Sequence, residues 1–221
     1  MNAKQAAGEK AVELIQDGMK VGLGTGSTVF YTLKALGKRV REGLKIEAIP
    51  TSRATEQLAR EEGIPLISFA DITRLDLTID GADEVNPQKQ LIKGGGGALY
   101  REKLVASISD RLIIIVNTGK DKEVLGSFPL PVEIVPFGRE VVTRRIERMG
   151  GNPVLRMDGV MPFATDNGNM ILDCHFERIE DPASLHHQIK GMVGVVETGL
   201  FIDMADQIIV GYENGETKIW S

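Results

Sequence analysis

A single cysteine, Cys174, stands among the 221 residues, so no internal disulfide can form. That usage suits a reducing compartment, and Cys174 itself reads as a buried apolar residue. Basic runs are missing too, and the formal net charge of -5 argues against a nucleic-acid surface. No stretch approaches the ~18 to 20 apolar residues of a membrane span. The opening MNAKQAAGEKAVELIQ is a charged helical pattern without a signal-peptide apolar core. The expectation is a soluble, cytoplasmic protein with no nucleic-acid or membrane partner. Histidine is scarce: His175, His186 and His187 belong to no pocket motif, which points to packing or surface roles. No Ser or Cys pairs recognisably with a His, which disfavours nucleophilic hydrolysis. Internal repeats and low-complexity tracts are likewise absent.

What is present is concentrated between Asp80 and Glu102, in the stretch DGADEVNPQKQLIKGGGGALYRE. It holds the carboxylates Asp80, Asp83 and Glu84, then Lys93, four glycines from Gly94 to Gly97, and Glu102. Consecutive glycines carry a backbone entropy cost and are kept where the chain must adopt positive φ or lie close to something. The apolar run Leu75 to Ile79 reads as a buried strand ending at Asp80, and Ala98 to Ser109 reads as a helix. A loop of this kind, between strand end and helix start, is where open α/β sheets bind ligands.

The hydrophobic content of 42% can support one large core, or one core and a smaller companion. Helices are expected over Ala3 to Gln16, Val29 to Val40 and Arg53 to Glu62. Strands are expected over Lys20 to Leu23, Lys45 to Ile49, Ile64 to Ser68 and Leu112 to Val116. This alternation predicts a Rossmann-like, mostly parallel sheet. From about Leu130 the order becomes β-α-β-β-α-β: Glu133 to Val135, Arg139 to Met149, Val154 to Met157, Met170 to Phe176, Pro182 to Lys190 and Val193 to Phe201. That is the split βαβ pattern of a ferredoxin-like α+β domain. The final runs, Ala205 to Tyr212 and Thr217 to Trp220, read as a hairpin returning to the first domain. The expected division is therefore 1–128 plus 204–221 for the Rossmann-like catalytic domain, and 129–203 for the small one.

Lys20 to Leu23 runs into Gly22, Gly24 and Gly26, followed by Ser27 and Thr28 at a helix start. Such a turn lets N–H groups converge on an anion while the helix dipole adds positive charge, which suits a compact phosphate ester. A dinucleotide site fits less well, because the third glycine of G-x-G-x-x-G is missing and no acid ends the next strand. A nucleotide P-loop would need a lysine after the loop, and a purely structural turn is the other reading. A phosphate cradle, two aspartates three apart, a lysine beside glycines and a helix glutamate together suit proton transfer on a sugar phosphate.

Five ordered stretches carry a resemblance: GLGTGST (Gly22 to Thr28), TSRAT (Thr51 to Thr55), TIDGADE (Thr78 to Glu84), IKGGGGAL (Ile92 to Leu99) and REK (Arg101 to Lys103). With FPLPVE (Phe128 to Glu133), TDNGN (Thr165 to Asn169) and GMVGVVETGLF (Gly191 to Phe201), the chain resembles type A ribose-5-phosphate isomerases over nearly its whole length. The resemblance implies reversible conversion of D-ribose 5-phosphate to D-ribulose 5-phosphate in the non-oxidative pentose phosphate pathway. It implies no cofactor and no metal, and a homodimer or homotetramer. Glu102 matches the proton acceptor, Lys93 the group that stabilises the enediolate oxygen, and Asp80 and Asp83 the pair that handles ring opening and sugar hydroxyls. Thr25, Gly26, Ser27 and Thr28 match the phosphate loop, with Lys4 reaching the same group. Lys120 matches a substrate-contacting lysine, and Gly81, Ala82, Gly94, Gly95 and Gly96 complete the expected contacts. Before Lys120 the chain reads Asn117, Thr118, Gly119, departing from the acidic residue and serine common in the family.

Other readings remain open from the residues alone. Asp80, Asp83 and Glu84 could hold a magnesium ion, although Glu84 reads equally as a structural salt-bridge partner and stands outside the catalytic set. A non-catalytic sugar-phosphate sensor would need a DNA-binding module, and about twenty residues before the first strand are too few for one. An isomerase for another phosphorylated sugar is the third alternative.

Overall fold

Short runs rich in Ile, Val and Leu form a central sheet in the computed structural model, which describes residues 2–220. Two compact units divide these residues: one holds 2–82, 101–120 and 204–220, the other 83–100 and 121–203. In the first unit the strand order is Thr217–Trp220, Gln207–Gly211, Leu112–Asn117, Leu77–Gly81, Lys20–Leu23 and Glu47–Pro50. Every neighbouring pair is parallel except the closing hairpin. Inner strands of such a sheet are covered on both faces, which is why Leu112 to Val116 are buried without alternation. Helices Ala3–Val12, Ser27–Arg41 and Arg53–Glu61 accompany the sheet. Ile15, Leu23, Leu33, Leu36, Ile79, Ile113 and Ile209 are among the residues of its core.

Glu47–Pro50 lies outside Lys20–Leu23, whereas Leu77–Gly81 lies on that strand's other side. The chain therefore changes direction across the sheet between Lys20–Leu23 and Leu77–Gly81. At such a switch point two loops leave the carboxyl edge in opposite directions and open a crevice suited to a ligand. The loops here are Gly24 to Gly26 and the segment after Asp80.

Two expected elements of this first unit differ. The strand over 64–68 reduces to a single parallel bridge between Leu66 and Ala48. Pro65 within that run can accept from Ala48 N but has no N–H of its own for a ladder. The first helix stops at Val12 rather than Gln16. Leu14 and Ile15 tighten into i→i−3 bonds to Ala11 and Val12, and Arg39 Nη1 donates to Val12 O (2.6 Å) and Ile15 O (3.0 Å).

In the second unit, Val195–Thr198, Leu130–Ile134, Met170–His175 and Asn152–Leu155 form an antiparallel sheet in that order. With helices Arg139–Arg148 and Pro182–Lys190 this is the ferredoxin-like α+β arrangement. Its core includes Leu130, Val132, Ile134, Ile146, Leu172 and Ile189. The run expected as one strand over 193–201 breaks at Gly199. Beyond it Leu200–Phe201 pairs with Leu91–Ile92, which pairs in turn with Glu84–Val85. Segment 83–100 thus joins the second unit, and so does 121–128, because Glu84 accepts from Gly126 N (2.8 Å) and Phe128 N (2.7 Å). The units accordingly do not divide at residue 128. Among the described residues no helix is long and apolar enough to cross a membrane.

Helix Ser27–Arg41, whose first turn follows the glycine turn, is tied to the end of helix Arg53–Glu61 by Glu62. This buried carboxylate meets Lys34 Nζ at 2.5 Å and Arg41 Nη1 at 3.3 Å. The Lys34 hydrogen bond, helped by Arg41, holds its pKa below the usual glutamate range. A lowered folded-state pKa contributes stability that is complete above the unfolded-state pKa and lost as pH falls through the folded value. Glu62→Gln is expected to cost about 0.5–1 kcal/mol near neutral pH, the scale of a partly exposed ion pair. Urea melts of both proteins across acidic pH should show that gap closing; a gap that persists in acid would assign it to packing instead.

Candidate active site

In the first unit, the strand Lys20–Leu23 delivers Gly24 against the end of Leu77–Gly81. A Cβ on Gly24 would lie 2.1 Å from Asp80 Oδ1 and 2.6 Å from Asp80 Cα, so only glycine lets the two chains meet. Asp80 is 1% exposed, and its Oδ1 accepts from Thr25 N (3.1 Å) and Gly81 N (2.7 Å). Gly26, at φ +122°, turns the chain into helix Ser27–Arg41, where no side chain caps the first N–H groups. An uncapped N-terminus beyond a glycine turn is an anion site by geometry and dipole. Gly26 and Ser27 are exposed there and Thr28 is buried. Lys4 Nζ donates to Ser27 Oγ at 2.9 Å, which places an ammonium beside that turn.

Thr25 points elsewhere. Its Oγ1 lies 2.7 Å from Thr51 Oγ1, 2.9 Å from Ser52 Oγ and 3.2 Å from Thr55 Oγ1. Thr55 Oγ1 donates to Gly24 O at 2.8 Å, and Ser52 Oγ caps the next helix by accepting from Thr55 N. A hydroxyl offers one donor proton and two acceptor pairs, so this cluster engages the Thr25 side chain internally. Thr25 anchors the loop through its hydroxyl while the turn beyond it faces solvent. Residue type alone does not single out Thr51, Ser52 and Thr55; their sequence signal is the N-cap spacing of Ser52 to Thr55 directly after a strand.

Glu102 sits in the first turn of helix Leu99–Ser107 and is 4% exposed. Lys120 follows the strand Leu112–Asn117 through a turn at Gly119, φ +91°. Its Nζ donates to Ala82 O at 3.0 Å. The Asn117-Thr118-Gly119 sequence therefore builds a tight turn, held by Thr118 N on Gly211 O.

The second unit holds Asp83, Lys93 and the four glycines. Lys93 follows the short strand Leu91–Ile92, donates from its backbone N to Gly199 O (2.8 Å) and is 2% exposed. Its Nζ lies 5.4 Å from the Phe201 ring centre. A lysine ending a strand in solvent would not be so enclosed, and burial of an ammonium is costly unless its surroundings compensate. Asp83 Oδ2 accepts from Gly95 N at 2.8 Å. Gly94 (φ +102°) and Gly97 (φ +81°) close the turn with Gly97 N on Gly94 O, leaving Gly95 and Gly96 exposed. Glu84, which reads equally as a structural salt-bridge partner, uses both oxygens to accept from the backbone N–H groups of Gly126 and Phe128. Of the histidines, His175 and His187 are exposed and His186 Nδ1 pairs with Thr198 Oγ1 at 2.7 Å. Cys174 is fully buried, and burial pushes its thiol far above the usual range.

Comparison with known proteins gives this geometry a lineage. The model of the family described as ribose 5-phosphate isomerase A (phosphoriboisomerase A) matches residues 47–215. A ribose-5-phosphate isomerase A of Bacillus mycoides (strain KBAB4) is 55% identical over 216 residues, 97% of this chain and 98% of its own. Ribose-5-phosphate isomerase A 1 of Oceanobacillus iheyensis is 52% identical over 209 residues, 94% of this chain and 93% of its own. Among solved structures, ribose 5-phosphate isomerase A from Methanocaldococcus jannaschii superposes with a TM-score of 0.93 at 39% identity, covering 99% of this chain and 97% of that one. A D-ribose-5-phosphate isomerase in complex with phospho-erythronic acid superposes at 0.96 and 36% identity, covering 100% of both. With matches of this identity along its length, the chain belongs to the ribose 5-phosphate isomerase A family.

Proposed function

We infer that this chain interconverts D-ribose 5-phosphate and D-ribulose 5-phosphate through an enediolate. The observation that carries the reading is burial: Asp80, Lys93 and Glu102 are 1%, 2% and 4% exposed within 23 residues of sequence that end a strand, form a glycine turn and start a helix. Ionisable groups are costly to bury, and clustering them in this way suits chemistry better than folding.

In the proposed reaction the phosphate is held at the N-terminus of helix Ser27–Arg41 by Gly26, Ser27 and Thr28 with Lys4. Asp80 and Asp83 exchange protons with the ring oxygen and hydroxyls as the sugar opens, and Lys120 with Gly81 and Ala82 holds the chain of the sugar. Glu102 removes the proton from C2. The electron pair of the broken C–H bond forms the C1=C2 double bond, and the aldehyde oxygen becomes an oxyanion facing Lys93 and the N–H groups of Gly94 and Gly96, while the Gly95 N–H holds Asp83. The O2 hydroxyl proton then passes to O1, C2 becomes the ketone, and Glu102 returns its proton to C1. No metal or cofactor enters these steps. A cytoplasmic homodimer or homotetramer is part of the same proposal; the exposed Phe137, Val160 and Val193 of the second unit support self-association.

The deciding experiment is proton NMR of ribose 5-phosphate with chelator-treated protein in D₂O. Ketose formation with loss of the C2 proton signal is expected; binding of the sugar phosphate without either would favour a sensor. Glu102→Gln should keep affinity for the phosphate ester and lose roughly two to four orders of magnitude in turnover, and near-normal turnover would remove Glu102 from the mechanism. Lys93→Ala should lose turnover on the order of 10²-fold or more, with unchanged kinetics excluding it. Ser27→Ala and Thr28→Ala should chiefly raise KM, whereas a fall confined to kcat would mean the turn holds something other than the phosphate.

A further inference from the structure

The glycine turn of the second unit has a cation on the far side of its backbone that none of the roles above uses. Arg156 lies between the strands Asn152–Leu155 and Met157–Asp158, with its side chain 15% exposed. Nη1 donates to Gly94 O at 2.9 Å and Gly95 O at 3.1 Å. Nε and Nη2 make a two-point ion pair with Asp173, at 2.9 Å and 2.5 Å. The guanidinium carbon stands 5.8 Å from the Phe163 ring centre. That ring also closes on Gly97, where a Cβ would come within 2.5 Å of Phe163 Cζ. A guanidinium presents its donors in a rigid fork, so seating two of them on Asp173 fixes the direction of the third.

The consequence lies on the other face of the turn. A trans amide directs its C=O and its N–H to opposite sides. The Gly94–Gly95 amide has its C=O on Arg156 and its N–H on Asp83 Oδ2. Holding Gly95 O on the same guanidinium turns the Gly96 N–H to the Asp83 side as well. Two successive N–H groups then face one way, a concavity that favours anionic oxygen. A positive charge on their carbonyls polarises both amides toward it.

We propose that Arg156, seated by Asp173 and Phe163, is a positioning residue that sets the polarity of the Gly94–Gly97 turn so that the Gly95 N–H holds Asp83 and the Gly96 N–H beside it faces the enediolate oxygen. This rests on the isomerase reading above. The alternative, that Arg156 only pins the ferredoxin-like sheet to a loop, makes a different demand: it moves stability and leaves turnover of the folded protein intact.

The test compares wild type, Arg156→Ala and Arg156→Lys for kcat and KM on ribose 5-phosphate and for cooperative melting. Lysine keeps the charge, but three donors on one atom cannot reproduce the four contacts of the planar guanidinium. Both folded variants should lose kcat by about 10- to 100-fold, less than removal of a direct oxyanion partner, with KM changed much less. Guanidinium at low, non-denaturing concentration should restore part of the kcat of Arg156→Ala and none of that of Lys93→Ala. Folded variants with kcat near wild type, a loss confined to KM, or absence of cooperative melting in both variants would each overturn the proposal. An inactive wild type would instead overturn the isomerase reading itself.

Discussion

The Lys20–Leu23 strand lies against Leu77–Gly81 with no room for side chains at two positions: a Cβ on Gly22 would fall 1.9 Å from Thr78 Oγ1, and one on Gly24 2.1 Å from Asp80 Oδ1. This contact at the switch point of the sheet governs the first unit's share of the site. It lets the Thr25 N–H reach Asp80, and it brings the turn at Gly26 to the carboxyl edge of the strands. The Thr51, Ser52 and Thr55 hydroxyls then take up the Thr25 side chain and the Gly24 carbonyl, so the loop is held from below while its outer face stays open. A loop preorganised in this way loses little entropy when an anion arrives.

The second unit solves a related problem with carboxylates. Glu84 and Glu133 are both buried, and both accept from backbone, amide or hydroxyl donors. Glu84 fastens segment 126–128 to the short strand that precedes the glycine turn. Glu133 Oε1 accepts from Thr165 Oγ1, Asn167 Nδ2 and Asn169 Nδ2 at 3.0, 3.3 and 2.8 Å. The motifs FPLPVE and TDNGN, which helped to carry the family resemblance, are therefore two halves of one hydrogen-bond network. Glu84, with a donor on each oxygen, remains buried at modest cost because its lost hydration is replaced, whereas Glu133 concentrates its bonds on Oε1 and leaves the buried Oε2 without a partner among the described residues. Such networks fix the frame on which Lys93 and Asp83 are displayed.

The alternation of apolar runs with helical periodicity places the strands and helices of the first unit's sheet, because burial on both faces of a parallel sheet leaves a continuous apolar signature; it passes over the two-residue strands Glu84–Val85, Leu91–Ile92 and Met161–Pro162. Where it failed, the cause was local chemistry. Pro65 cannot donate to a ladder, so the run at 64–68 makes one bridge only. Gly199 lets the chain pass within 2.3 Å of Lys93 O, counted to a would-be Cβ, so one apolar run becomes two strands in different sheets. The unit boundary shifted for the same reason: strand partners, rather than composition, decided where 83–100 belongs.

Residue types and spacing alone determined the outline of this protein: a parallel α/β sheet, a ferredoxin-like companion, a glycine turn at a helix start, and ionisable residues gathered between Asp80 and Glu102. These follow from periodicity and backbone permissiveness, which act within a few residues along the chain. Tertiary structure decided which polar groups look inward. It turned Thr25 into a hydroxyl cluster, committed Glu84 to Gly126 and Phe128, enclosed Lys93 beside Phe201, and set Arg156 on the carbonyls of Gly94 and Gly95. The direction of a side chain depends on partners tens of residues away, and only folding brings those partners within hydrogen-bond range.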